Sequence, residues 1–208
     1  MGIDYIISNT FTTLHGSEFF NKIFHFFSVL GDNGYLFLII AIFLLPFKKF
    51  RKISFGLIIC ALLVLVINNL LLKKVIERPR PFVTYPEFLP YVIGELPSSL
   101  SFPSGHTAVN IAFASFLWCY RKKHYKFALF STIFAIIVAF SRIFLCVHYP
   151  TDVLAGIIAG TIIGVGIHFL MNYVFKKLEP FILKLKQKNN STSPNKTEDK
   201  INDSETQE

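Results

Sequence analysis

Residues 53–72 read ISFGLIICALLVLVINNLLL. They carry no charge, and two cations flank them on each side: Arg51 and Lys52, then Lys73 and Lys74. An α-helix rises about 1.5 Å per residue, so twenty such residues match a bilayer's hydrocarbon core of about 30 Å. Two further runs have the same character, 127–147 (FALFSTIFAIIVAFSRIFLCV, with Arg142 near its end) and 153–174 (VLAGIIAGTIIGVGIHFLMNYV). A shorter one, 105–120, closes on Trp118 and Tyr120, residues suited to the membrane–water interface. Composition agrees: 52% of residues are hydrophobic and 16% charged, with mean hydropathy +0.50, whereas soluble domains carry about 25% charged residues. The expected fold is therefore an all-α integral membrane protein.

The N-terminal part is less regular. YLFLIIAIFLLPF (35–47) is too short to span alone, and GDNG (31–34) interrupts its extension backwards. The expected arrangement is an amphipathic interfacial segment over 1–29, then a membrane domain over 30–187 whose first span covers about 30–47. That makes a bundle of about five transmembrane helices, with a sixth span at 11–30 as the alternative. The N-terminus lacks the charged and apolar regions of a signal peptide. Residues 188–208 are polar and without apolar period, and are expected to be a disordered tail.

The net charge is +8. The last twenty residues hold two Lys against five acidic residues, so +11 rests on the remainder. Nucleic-acid binding would need such charge, but basic loops beside spans account for it more simply. FKKFRK (47–52), RKKHYK (121–126) and KKLEPFILKLK (176–186) all become cytoplasmic if there are five spans. The tail is then cytoplasmic too, and residues 73–106 and 142–152 share the outer face. Cys60, Cys119 and Cys146 form no CxxC and fall in or beside apolar runs, so they are expected to be reduced.

Two small-residue faces suggest how the helices pack. Gly156, Gly160 and Gly164 recur every four residues, and Gly105, Ala108, Ala112 and Ser115 follow one another at intervals of three or four. Such faces let helices approach closely in lipid, within one chain or between copies.

The unusual polar residues all lie at the outer ends: KKVIERPRP (73–81), PSGH (103–106) and SRIFLCVHYPTD (141–152). Polar groups at membrane depth are costly and mark function. Lys73, Arg80 and Arg142 suit an anion, Arg through its planar fork. Ser104 and Gly105 precede a helix, whose N-terminus favours phosphate. His148 and Asp152 are four apart, so the carboxylate could set the ring's tautomer and leave the other nitrogen to attack. His106 could give a proton to a leaving oxygen. His15, His25, His124 and His168 read as interfacial side chains. His106, His148 and Asp152 could instead be zinc ligands, but the cations beside them argue against a metal.

These residues carry a resemblance. K-x6-R-P is met by Lys73, Arg80 and Pro81; PSGH by Pro103, Ser104, Gly105 and His106; S-R-x5-H-x3-D by Ser141, Arg142, His148 and Asp152. The chain resembles the type 2 phosphatidic acid phosphatase (PAP2) superfamily over roughly residues 30–175. The resemblance implies a metal-independent phosphatase without cofactor, working through a phosphohistidine. His148 would be the nucleophile, Asp152 its orienter, and His106 the acid and later the base. Lys73, Arg80, Ser104, Gly105 and Arg142 would hold the phosphoryl oxygens. The compact N-terminal part is similar to bacterial members acting on undecaprenyl diphosphate. The expected substrate is therefore that lipid at the outer face of the cell membrane, with phosphatidylglycerophosphate and phosphatidate as rivals. A non-enzymatic lipid or anion transporter would need polar groups along a path, for which only Asn68, Asn69 and Asn110 are available. A haloperoxidase would need vanadate and a soluble scaffold.

Overall fold

A computed structural model describes residues 2–191. Every regular element among them is helical. The chain through Phe169 forms one compact unit. Two N-terminal helices, α1 (Ile3–Thr12) and α2 (Glu18–Leu30), lead to a sharp turn and α3 (Tyr35–Leu44). α4 (Arg51–Val64) runs on as a π-helical stretch, Leu65–Leu72, and a final turn, α5 (Lys73–Ile76). After the one-turn α6 (Pro81–Thr84) and a long loop come α7 (Gly105–Cys119), α8 (Arg121–Phe144) and α9 (Pro150–Ser191).

Three helical stretches are long and apolar enough to cross a membrane: Arg51–Thr84, Arg121–Phe144 and Pro150–Pro180. The span expected at 30–47 is not one straight helix. Its ten-residue α3 reaches about 15 Å and passes only together with α2, to which it is bent by 43°. Asn33 and Gly34 make that bend, both with positive φ, and a side chain on Gly34 would run into Phe113 and Val109. α7, the other expected span, has 15 residues and reaches about 22 Å. It is the core helix of the bundle, with Ala108, Ala112, Phe113, Phe116 and Leu117 wholly buried. A helix enclosed by other helices has little need to match the lipid's thickness.

α1 and α2 gather against one end of α8. Phe11 and Phe24 meet Phe140, Phe24 and His15 meet Phe144, and Phe27 meets Phe134. The two small-residue faces pack on each other within the chain. A Cβ on Gly156 would stand 2.8 Å from the Ser104 carbonyl oxygen. One on Gly160 would strike the carbonyl of Ala108, and one on Gly164 that of Ala112. This contact draws α9 onto α7 and brings their first turns side by side, where Ser104 N–H donates to the Asp152 carbonyl at 3.1 Å. Outward, Ile136, Leu154, Ile158 and Ile162 are exposed in the way lipid-facing residues are. All three cysteines are free. From Leu170 the second unit begins, and α9 continues to Ser191. The rest of the segment expected as a tail, 192–208, lies outside the described residues.

Candidate active site

Three chain reversals assemble the site. At the end of α5, Glu77 takes a left-handed conformation and Pro79 prevents further helix, while Pro81 opens the one-turn α6. Arg80 thereby turns inward, 5% exposed. Ser104 caps α7, its Oγ accepting from Thr107 Oγ1 at 2.9 Å and from Thr107 N–H at 3.5 Å. After α8, the N–H groups of Val147 and His148 both donate to the Arg142 carbonyl, with Cys146 at positive φ. His148 is left 1% exposed just before Pro150 opens α9.

A cavity of about 1430 Å³ receives these elements. Lys73, Arg80, Gly105, His106, Arg142 and His148 all line it. Arg80 holds the ring and the loop together: Nη1 donates to the Val147 carbonyl at 2.8 Å and stands 3.3 Å from His148 Nε2. Its Nε and Nη2 donate to the Ser99 carbonyl and hydroxyl at 2.6 and 3.0 Å. Lys73 reaches the same hydroxyl at 3.1 Å. Arg142 is 5% exposed, bonds Ser28 through Nη1, and leaves its Nε without a protein partner. Away from the cations the cavity wall turns apolar, through Leu38, Ile42, Ile58, Leu62 and Leu65.

His148 and Asp152 are brought together as the spacing predicted, but less directly. Nδ1 stands 3.6 Å from Asp152 Oδ2, beyond hydrogen-bonding distance. Ser101 bridges them, with Oγ 3.4 Å from Nδ1 and donating to Oδ2 at 2.5 Å. The Tyr149 N–H donates to the same oxygen at 2.9 Å. Burial is the main reason the His148 pKa falls well below the ordinary imidazole value. The charges of Arg80 and Arg142 push the same way, and Asp152 only partly opposes them. The ring is thus neutral at pH 7, as a nucleophile requires.

Ser104 is fully buried at the start of α7, and its hydroxyl oxygen accepts from Thr107. Asp152 stands behind His148 with 0% exposure and does not line the cavity. Several neighbours were not singled out from sequence. Asp32 pairs with His106, Ser99 with Lys73 and Arg80, and Arg78 with Asp152. A lone acid at the break of an apolar run was a readable signal for Asp32, whereas nothing local distinguishes Ser99 or Ser101 in PSSLSFP. Asn68 lies in the π-helical stretch, 2% exposed, with its Nδ2 unpartnered and directed at Gly105 across the cavity. Among the described residues, no three His, Cys, Asp or Glu side chains cluster so as to hold a metal ion.

Buried cations, a neutral imidazole and a helix N-terminus on one wall suit phosphoryl transfer, and the scaffold is that of a membrane protein. Over residues 51–179 the sequence matches the PAP2 superfamily, and the chain belongs to this family of phosphatases, hydrolases acting on lipid phosphates. Undecaprenyl-diphosphatase BcrC of Bacillus subtilis is 31% identical over 178 residues, covering 83% of this chain and 86% of that protein. An undecaprenyl-diphosphatase of Sulfolobus acidocaldarius is 30% identical, over 68% of this chain and 66% of its own length. The crystal structure of a transmembrane PAP2-type phosphatidylglycerolphosphate phosphatase from Bacillus subtilis superposes with a TM-score of 0.59. Its sequence identity is 26%, over 84% of this chain and 85% of that one.

Proposed function

We propose that this chain removes the terminal phosphate of a lipid diphosphate, undecaprenyl diphosphate, at the outer face of the cell membrane. The observation that carries this reading is the placement of neutral His148 beside Arg80 at the polar end of a cavity whose far walls are apolar. His148 Nε2 attacks the terminal phosphorus, the bond from phosphorus to the leaving oxygen breaks, and a phosphohistidine forms. His106 gives its proton to the leaving oxygen. Water then attacks the phosphohistidine, His106 takes the water's proton, and inorganic phosphate departs.

The residues of the site divide this work among them. Lys73, Arg80 and Arg142 neutralise the equatorial phosphoryl oxygens, where most of the transition-state charge lies. Gly105 begins α7 at the cavity wall, so the helix N-terminus faces the anion. The uncharged Asn68 amide offers a further donor beside the cations. Asp152, with Ser101, holds His148 in one tautomer and stabilises the positive ring of the intermediate.

Support for the diphosphate over phosphatidylglycerophosphate or phosphatidate comes from undecaprenyl-diphosphatases among the similar proteins. The test is phosphate release by the purified protein from a panel of lipid monophosphates and diphosphates in one detergent. The highest kcat/KM is expected on undecaprenyl diphosphate. Preference for phosphatidylglycerophosphate would move the assignment to the activity named for the Bacillus structure.

A further inference from the structure

We infer that Asp4 and Arg78 are positioning residues for the His148–Asp152 pair, which makes the N-terminal helix part of the catalytic apparatus. This rests on the phosphatase reading above. It adds residues that are not fixed positions of the three motifs and, in Asp4, one outside the stretch 51–179 that matches the family.

The side chains form a continuous chain of contacts. Arg78 Nη1 donates to Asp152 Oδ1 at 2.6 Å and to Thr151 Oγ1 at 2.7 Å. Its Nη2 donates to Asp4 Oδ2 at 2.7 Å. Asp4 also accepts from the Thr151 N–H at 3.1 Å and from its hydroxyl at 2.6 Å. The guanidinium lies 3.9 Å from the centre of the Tyr149 ring, which fixes its plane. Arg78 therefore clamps the first turn of α9 to the first turn of α1. Asp152 is better held by Arg78 at 2.6 Å than by His148 at 3.6 Å.

Arg78 is the cation of this end that does not serve the phosphate. It lines no part of the large cavity, and faces instead a separate hollow of about 420 Å³ bounded by Asp4, Tyr85 and Tyr149. Two carboxylates use its charge. The reason for the second follows from electrostatics. Arg78 alone would cancel Asp152 and leave no net negative charge facing a ring that becomes positive when it is phosphorylated. With Asp4 the three groups sum to minus one, and Asp152 keeps its pull on His148. Hydrogen bonds from Thr151 and Arg78 hold the Asp4 carboxyl below its usual range despite burial, so this charge persists at pH 7.

The arm acts on the reacting ring rather than on substrate binding, so it predicts losses in kcat with KM kept. In the full-length protein, on a prenyl diphosphate and on phosphatidate, Asp4→Asn should lower kcat by about three- to tenfold. Arg78→Met should lower it by about 10- to 100-fold, the range typical of partners that orient a reacting ligand. KM should stay within about twofold in both. Arg78→Lys, which keeps charge but not the fork, should fall between wild type and Arg78→Met. Adding Asp4→Asn to Arg78→Met should cost less than Asp4→Asn costs in the wild type, because Asp4 acts on Asp152 largely through Arg78. An unaffected Asp4→Asn, additive losses in the double variant, or a raised KM with kcat intact would each overturn the arm. If Arg78→Met does not fold, Asp4→Asn and Arg78→Lys decide the matter. A wild-type protein silent on both lipids would instead refute the phosphatase reading, and the arm with it.

Discussion

His106 and Asp32 are hydrogen-bonded side chains, with Nε2 3.0 Å from Oδ1. The pair joins the first turn of α7 to the bend between α2 and α3. Burial and the charges of Arg142 and Arg80 pull the His106 pKa down to about 4, and Asp32 only partly opposes them. The negative charge of a substrate phosphate beside the ring would raise it towards the protonated form a general acid needs. The value of that acid depends on the leaving group. Glycerol alkoxide leaves poorly, so His106→Ala should cost about 10²–10⁴-fold in kcat/KM on phosphatidate. A lipid monophosphate is a far weaker base, and the loss on a prenyl diphosphate should be clearly smaller. Asp32→Asn should show the same asymmetry with smaller losses. Equal losses on both substrates would make His106 a binding residue only.

Covalent catalysis gives a second expectation. His148→Ala should abolish turnover while the protein remains monodisperse and helical. Asp152→Asn should retain some activity but lose at least about tenfold. Rapid quench with labelled substrate should trap an acid-labile phosphoenzyme in the wild type and none in His148→Ala. Normal turnover by His148→Ala would remove the phosphohistidine from the mechanism.

The lowered pKa of His148 has consequences for both rate and stability. An ordinary imidazole titrates near about 6.5. His148 should stay neutral below that, so the limb of kcat/KM that reports its protonation should lie well under pH 6.5. For stability, the unfolded chain binds this proton more readily than the folded one. The contribution is therefore present above pH about 6.5 and is lost as pH falls towards the depressed folded value. Thermal unfolding in detergent between pH 8 and 5 should show a steeper acid loss for wild type than for His148→Gln. Parallel curves would contradict the depressed pKa.

Packing of α7 on α9 separates two glycines of one helix. A Cβ on Gly160 would meet the backbone of α7, whereas one on Gly166 has nothing within 4 Å. Gly160→Ala should cost about 1–3 kcal/mol and reduce activity, since the same contact aligns Ser104 with Asp152. Gly166→Ala should be neutral or mildly stabilising. Equal melting temperatures for the two variants would contradict this packing.

Sidedness is tested by single cysteines at Lys49 and Glu87 in a background without the native three. An impermeant thiol reagent on intact cells should label position 87 and spare position 49. The reverse pattern would place the site in the cytoplasm.

Most of this protein's class was readable along the chain, because the reasons are local. Twenty uncharged apolar residues at 53–72 require lipid or complete burial whatever surrounds them. Motifs such as PSGH and the four-residue spacing of His148 and Asp152 are visible in one dimension. The four-residue rhythm of Gly156, Gly160 and Gly164 likewise announced a close helix contact before its partner was known. Tertiary structure decided what depends on residues distant in sequence. It bent α2 against α3 at Asn33 and Gly34 and made α7 a core helix. It turned the Ser104 hydroxyl to its own helix, and set Ser101 between His148 and Asp152. It joined Asp4 to Arg78, 74 positions away, and Asp32 to His106. Hydropathy and motif spacing describe what each segment needs from its solvent. A buried charge is satisfied by whichever partner the packing delivers, and only the folded chain determines which one that is.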